Sequence, residues 1–406
     1  MFNKLSRDQK TLLIVLTLIN LVNYVDRQVV FPLFGLIKED FHTTDFELGL
    51  LATAFMLVHS IASLPFGIAA DKYSRKGIIA AGVVFWSFTS FASGLVSSFK
   101  GLLGIRSLVG IGEAAYAPAA TAMISDNIPA AYRARAQGLF NSGVFIGGTI
   151  GAMLGGVIAY YAHDWRAAFF IVSIPGLLLA WLVTQIKDVD RHHSPEQMHY
   201  SQLLKNPAFV WILIGGWFST FASGAFVAWG VQFVTRYKGY NLRDTSIILG
   251  LTLMAAGLIG VFCGSWVADH LQKKYTWGRS ITLAVSQILA APIMYLGLSS
   301  RGTGSIFFLY FALGTALLAF YYGPVTAVMH DVVPKYLRAT AFALYVFIIH
   351  ILGDTLAPAV VGRISDRFNL RVGLEWCTVS VLLSGIAFLV VNEIIRLKKV
   401  ELVTED

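Results

Sequence analysis

Residues 67–76 read Gly67-Ile-Ala-Ala-Asp71-Lys72-Tyr-Ser-Arg75-Lys76, a charged hinge set between apolar runs at 46–70 and 77–98. Each run has roughly the 20 residues that a helix needs to cross a hydrocarbon core of about 30 Å. Working outward, similar runs occupy 11–34, 101–124, 136–160 and 166–186, and then 208–235, 245–270, 280–299, 304–329, 338–362 and 373–396. They are too long for barrel strands and lack strict alternation. The expected fold class is an all-α membrane protein of twelve transmembrane helices, arranged as two six-helix pseudo-symmetric bundles.

Composition agrees with this reading. Of 406 residues, 56% are apolar and only 13% charged, about half the roughly 25% of a soluble protein. The mean hydropathy of +0.67 is spread along the chain, which excludes a soluble domain and a soluble enzyme on a single anchor. A net charge of +8 would suggest nucleic acid in a soluble chain. Here the basic residues lie in short loops and act as topology signals, so no nucleic-acid partner is expected. Their bias places both termini in the cytoplasm, although the loops joining spans 7 to 8 and 11 to 12 run against it. The first run continues through Asp26 and Arg27 without a small-residue cleavage site, so it is read as a span and not as a removable signal. Cys263 and Cys377 each fall inside an apolar run and make neither a disulfide framework nor a metal spacing.

The polar stretch after 186 divides the chain into an N-terminal six-helix bundle (1–186), a cytoplasmic linker (187–207) and a C-terminal six-helix bundle (208–406). His192 and His193 stand near Asp188 and Asp190 in this linker, but adjacent residues in a solvated loop make no metal cage, and no metal or cofactor is expected. An internal repeat supports the division. Asp126, Pro129, Arg133, Ala134 and Ala136 recur 205 residues later as Asp331, Pro334, Arg338, Ala339 and Ala341. Gly67, Asp71, Arg75 and Lys76 are echoed 198 residues later by Ser265, Asp269, Lys273 and Lys274. Two parallel copies of a six-helix unit account for both echoes.

The loop Gly67–Lys76 resembles the signature of the major facilitator superfamily between its second and third helices, with Ser74 where Gly is usual and Lys72 where Arg is commoner. Arg106-Ser-Leu-Val-Gly110-Ile-Gly112-Glu113 in span 4 and Gly143, Gly147, Gly148, Gly151, Gly155 and Gly156 in span 5 are similar to that superfamily as well. Within it, Asn23-Tyr24-Val25-Asp26-Arg27 together with Gly110 to Pro118 most resembles the spinster-type branch, whose members are associated with sphingolipid or lysophospholipid transport. The short tails look bacterial. The resemblance implies the major facilitator fold, a bacterial inner (cell) membrane location, a monomer, and transport by alternating access.

An ionisable group inside a span costs about 2.5–3.5 kcal/mol on insertion scales and therefore faces the bundle interior or a wet cavity. Asp26 and Arg27 lie in span 1, and Arg106 and Glu113 lie seven residues apart on one face of span 4. Asp26 and Glu113 are the expected proton carriers, with protonation releasing Arg27; a permanent salt bridge between spans 1 and 4 is the structural alternative. Arg27 also offers planar bidentate donors to an anionic substrate group, and Asn20 and Asn23 extend a polar stripe on its face.

The second half is aromatic where the first is ionic. Span 7 carries Trp211, Trp217, Phe221, Phe226, Trp229 and Phe233, and span 10 carries Phe307, Phe308, Tyr310, Phe311, Phe320, Tyr321 and Tyr322. The expected substrate contacts are Arg27, Asn23, Tyr116, Trp229, Tyr321 and Tyr322, suiting an amphipathic solute with its head at Arg27. His350 and Asp354 form a candidate second polar pair at i, i+4. Asp71, Lys72, Arg75, Lys76, Asp126, Arg133, Asp269 and Lys273 are expected to form charged latches of a cytoplasmic gate. The six glycines of span 5 serve close helix approach.

The expected function is secondary active transport, proton-coupled, of an amphipathic lipid such as a lysophospholipid or sphingolipid; the partners are this lipid-like or anionic solute, protons and the surrounding membrane lipids. A proton symporter of small organic anions such as sugar acids is the alternative, and it would call for more hydrogen-bonding side chains in spans 7, 8 and 10 than Gln232, Thr252, Thr315 and Thr326. A membrane enzyme would need a nucleophile with a base or a metal site. His330 and Asp331 are the nearest candidates, and the repeat already explains Asp331.

Overall fold

The computed structural model describes residues 5–186, 200–300 and 304–397. Residues 187–199 of the expected linker, with His192 and His193, lie outside this description, as does the side chain of Asp71. Every regular element among the described residues is helical.

Packing groups the chain into two units, Met1–Pro195 with Asn241–Gly250, and Glu196–Tyr240 with Leu251–Asp406. The first holds α1 (Arg7–Gln28), a short α2 (Phe34–Phe41), α3 (Asp45–Lys72), α4 (Arg75–Ser93), α5 (Phe99–Asn127), α6 (Ala130–Ala162) and α7 (Arg166–Thr184). The second holds α8 (Tyr200–Leu204), α9 (Pro207–Tyr237), most of α10 (Leu242–Gln272), α11 (Gly278–Ser299), α12 (Gly304–Ala319), α13 (Tyr322–Val332), α14 (Arg338–Ile349), α15 (Ala357–Arg367) and α16 (Leu370–Arg396). The starts are set by local chemistry. Ser6 with Gln9 and Thr44 with Glu47 form capping boxes ahead of α1 and α3, and Asn206 caps α9 just before Pro207.

Ten helices among the described residues are long and apolar enough to cross a membrane. Two of them are interrupted. The tenth apolar run breaks between α12 and α13, and the eleventh breaks between α14 and α15 at a π-helical turn over His350–Asp354. Large apolar side chains such as Phe262 and Trp266 are about 70% exposed on the outer faces, as expected of helices solvated by lipid and not by water. The ten do not include α1 and α5, although these are 22 and 29 residues long. Asn20, Asn23, Asp26 and Arg27 lower the hydropathy of α1, and Arg106 and Glu113 lower that of α5.

Within the first unit α1 packs along α6, and α5 packs against both α3 and α4. Glycines set these distances. A Cβ on Gly143 would lie 2.9 Å from the Leu21 nitrogen, and one on Gly151 would lie 2.8 Å from the Val25 Cα. Gly147 and Gly155 meet the α1 backbone in the same way, so every fourth residue of α6 is bare where α1 crosses it. Gly82 and Gly112 do the same for α4 and α5, where a Cβ on either would stand 2.8 Å from backbone of the other helix.

In the second unit α16 packs against α9 and α11. Two basic residues from the loops that run against the charge bias are placed at the C-terminal end of α11. Lys238 Nζ donates to the Ser300 carbonyl (2.6 Å), and Arg371 Nη2 donates to the Ser299 carbonyl (3.2 Å). They satisfy carbonyls left open by the helix end and complement its dipole, a role that a count of loop charges does not see.

Candidate functional site

The close α1–α6 and α3–α5 approaches bring four ionisable side chains together in the first unit. Arg27 donates to Glu113 Oε2 from Nε (3.1 Å) and from Nη2 (2.8 Å). The Glu113 side chain is fully buried and that of Arg27 is 14% exposed. Asp26, next in the chain, takes a different partner. Its Oδ1 accepts from Arg106 Nη1 at 3.3 Å and from the Ser90 hydroxyl, while Arg106 Nη2 donates to the Asp26 backbone carbonyl at 3.3 Å. Arg106 and Asp26 are each about 2% exposed. Two neighbouring residues of α1 thus reach two residues of α5 seven apart, forming two separate ion pairs.

Each pair leaves one oxygen uncommitted. Glu113 Oε1 and Asp26 Oδ2 are buried without a hydrogen-bond partner among the described residues, as are Asn23 Nδ2 and the Tyr116 hydroxyl. Unpartnered buried polar atoms cost free energy and tend to concentrate where a protein binds or reacts. Asn20, by contrast, is committed to structure, donating to the Phe140 carbonyl of α6 at 2.7 Å. Tyr116 packs edge-on against Trp86, with centroids 5.8 Å apart. Phe55 of α3 touches both guanidinium groups, with its centroid 5.1 Å from Arg27 Cζ and 5.8 Å from Arg106 Cζ.

Of the aromatic residues named in spans 7 and 10, six are buried: Phe226, Trp229, Phe233, Phe307, Phe311 and Tyr321. Phe226, Phe233, Phe307 and Phe311 are each 3% exposed or less and pack on one another between α9 and α12. Trp229 is fully buried and its indole donates to the Pro358 carbonyl at 3.0 Å, which braces α9 against α15. Tyr321 is buried with its hydroxyl paired to that of Tyr345, while Tyr322 is 47% exposed. His350 Nδ1 lies 2.8 Å from Asp354 Oδ2, and Asp354 Oδ1 has no partner among the described residues. Gly224 lets α9 pass this turn, since a Cβ there would fall 2.6 Å from that of Asp354.

The latch residues form one ion-pair cluster in each unit. Arg75, buried at the start of α4, pairs with Asp126 at the end of α5 and donates to the Ala70 carbonyl at 3.2 Å. Lys76 Nζ donates to the Thr184 carbonyl of α7 at 3.2 Å. In the second unit Asp331 is held by Arg279, whose Nη1 is 3.1 Å from both of its oxygens and whose Nη2 is 3.2 Å from Asp269 Oδ1. Lys273, the residue that the sequence echo aligned with Arg75, is exposed, as are Lys72 and Arg133. Arg279 therefore occupies the position of Arg75, and the longer turn before α11 takes it out of the constant-offset repeat. Ser90 and Phe55 also carried no signal, being a lone serine and a lone phenylalanine in apolar runs.

The sequence model of the Major Facilitator Superfamily matches residues 16–358. Protein spinster of Drosophila melanogaster is 31% identical over 385 residues, which are 90% of this chain and 63% of that protein. Protein spinster homolog 1 of Xenopus tropicalis is 30% identical over 389 residues, 89% of this chain and 74% of that one. The chain thus spans less than two thirds of the Drosophila relative. Among solved structures, a bacterial homolog to the human lysosomal transporter spinster, in an inward-facing and occupied conformation, superposes with a TM-score of 0.86 at 22% identity, covering 96% of this chain and 97% of that one. A D-xylose-proton symporter superposes with a TM-score of 0.73 at 15% identity, covering 93% and 96%.

Proposed function

The chain belongs to the major facilitator superfamily, among its spinster proteins, and from that premise we propose that it is a proton-coupled transporter of an amphipathic lipid carrying an anionic head group. The observation that carries the proposal is the Arg27–Glu113 pair: both guanidinium donors converge on one buried oxygen, leaving Glu113 Oε1 without a partner. A proton arriving at Oε1 neutralises the carboxylate and weakens its hold on Arg27. The freed guanidinium then presents planar donors to a phosphate or carboxylate. Proton and anion therefore enter together, since the substrate's charge replaces the one that the proton removed. Asp26 is the second proton carrier in this reading, with its unpartnered Oδ2 as the acceptor.

Asn23 and Tyr116, each with a polar atom unpartnered among the described residues, are the proposed neighbours of the head group, and Tyr322 is a further proposed substrate contact. The lipid-like tail is inferred from the branch. The remaining elements of the reading are twelve spans, with α1 and α5 completing the ten, both termini in the cytoplasm of a bacterial cell, alternating access, and latches at Arg75–Asp126 and Arg279–Asp331.

The decisive experiment compares binding of a lysophospholipid, sphingosine phosphate and a sugar acid to the purified protein and to Arg27→Ala. Lipid binding weakened by Arg27→Ala supports the proposal. Sugar-acid binding without lipid binding replaces it with a symporter of small organic anions.

A further inference from the structure

Arg27 has contacts besides Glu113 that survive when the carboxylate lets go. Its Cζ lies 4.8 Å from the centroid of Tyr24, one turn earlier on α1, and 5.1 Å from that of Phe55 on α3. Both distances fall within the range of about 6 Å over which an aromatic face attracts a cation, and the attraction strengthens where water is excluded. Phe55 is 4% exposed. Its ring also faces Arg106, which in turn lies 5.4 Å from the centroid of Phe169.

The depth of Phe55 is set by the α5 motif. Gly110 stands between Arg106 and Glu113 on one face of α5, at i+4 from the first and i−3 from the second. A Cβ there would come 2.7 Å from the Phe55 carbonyl oxygen and 3.2 Å from the His59 nitrogen. Only glycine at 110 lets α3 seat the Phe55 ring on both guanidinium groups.

We propose that Tyr24 and Phe55 form an aromatic rest that keeps the Arg27 guanidinium in its receptor position after Glu113 is protonated, so that it meets the substrate anion and does not turn to Asp26. This rests on the reading of Arg27 as the anion receptor. The charged and titratable groups around Glu113 are Asp26, Arg27 and Tyr24 from α1, His59 from α3, stacked on Phe55 at 6.0 Å, and Arg106 and Tyr116 from α5. Asp26, next to Arg27 in the chain, is an alternative anion for it, and its Oδ2 is unpartnered among the described residues. Without the rest, a released Arg27 would pair with Asp26 and be lost to the substrate.

The test uses Glu113→Gln as the protonated mimic, in the ¹⁵N-arginine-labelled 406-residue chain in phosphatidylcholine nanodiscs. The Arg27 side-chain resonance is assigned by its loss in Arg27→Lys. In Glu113→Gln it is expected to keep a ring-current shift from Tyr24 and Phe55, to lose the Phe55 share of it when Phe55→Leu is added, and to regain that share with Phe55→Tyr. In the same background, Phe55→Leu is expected to weaken binding of dodecyl phosphate by about tenfold, leaving dodecyl maltoside unaffected. Loss of the ring-current shift in Glu113→Gln alone would overturn the rest. A retained shift with no dodecyl phosphate binding in any variant would uphold the rest and overturn the receptor reading.

Discussion

Arg27 places two donors on a single oxygen of Glu113, and the other carboxylate oxygen is buried with no partner among the described residues. A salt bridge built only to hold α1 against α5 would gain from engaging both oxygens, as guanidinium–carboxylate pairs commonly do. The one-sided geometry leaves room for a proton without breaking the fold. Glu113→Gln is therefore expected to stay folded and to retain substrate exchange, with loss of accumulation driven by a pH gradient. Proteoliposomes assayed with and without an imposed gradient separate the two activities, and normal gradient-driven uptake would remove Glu113 from the coupling step.

Arg106 and Asp26 behave differently because both are buried. Truncating Arg106 to Ala removes the ion-pair partner of the buried Asp26 carboxylate and leaves it Ser90, a loss worth about 3–5 kcal/mol while Arg27 stays on Glu113. Thermal unfolding in detergent should show a large destabilisation for Arg106→Ala, and a smaller one when Asp26→Asn is combined with it. Equal destabilisation in the single and double variants would mean that the loss comes from packing and not from the orphaned charge.

Arg279 is expected to matter where Lys273 does not. Arg279→Ala removes the partner of both Asp269 and Asp331 and should change the transport rate several-fold, with less effect on substrate affinity. Lys273→Ala, at an exposed side chain, should match the parent protein. Uptake measured over a range of substrate concentrations separates rate from affinity.

Gly151 faces the Val25 backbone of α1 with no space for a side chain. Gly151→Leu should displace α1, and with it Asp26 and Arg27, at a stability cost of about 1–3 kcal/mol for overpacking and with a larger loss of transport than of folded protein. Size-exclusion yield and uptake per mole of folded protein measure the two effects. Unchanged uptake would show that α1 tolerates displacement.

The hydropathy runs located the long helices because lipid-facing sides leave long apolar stretches. Breaks such as the π-helical turn at His350–Asp354 were invisible, since they alter backbone register without altering composition. At the site, Asp26, Arg27, Arg106 and Glu113 stood out as charges in apolar runs, but their pairing did not. Sequence spacing puts Arg106 and Glu113 on one face and is silent on which of two adjacent α1 residues meets which. The aromatic clusters of spans 7 and 10 read as a substrate wall, whereas Phe226, Phe233, Phe307 and Phe311 pack on each other: a list of rings does not say whether they face a ligand or one another. Arg279 was hidden by a change in turn length, which shifts a repeat's offset while leaving its contacts intact.

The low hydropathy of α1 bears on how the chain is made. Arg27 and Asp26 leave the ribosome 86 and 80 residues ahead of Glu113 and Arg106, a delay of about 4–17 s at about 5–20 residues per second. In the proposed twelve-span reading, the first helix would carry two charges through that interval whose partners have not yet been synthesised, and the arrival of α5 would secure its insertion. On that reading biogenesis would include a waiting step, imposed by the same side chains that are proposed to drive transport.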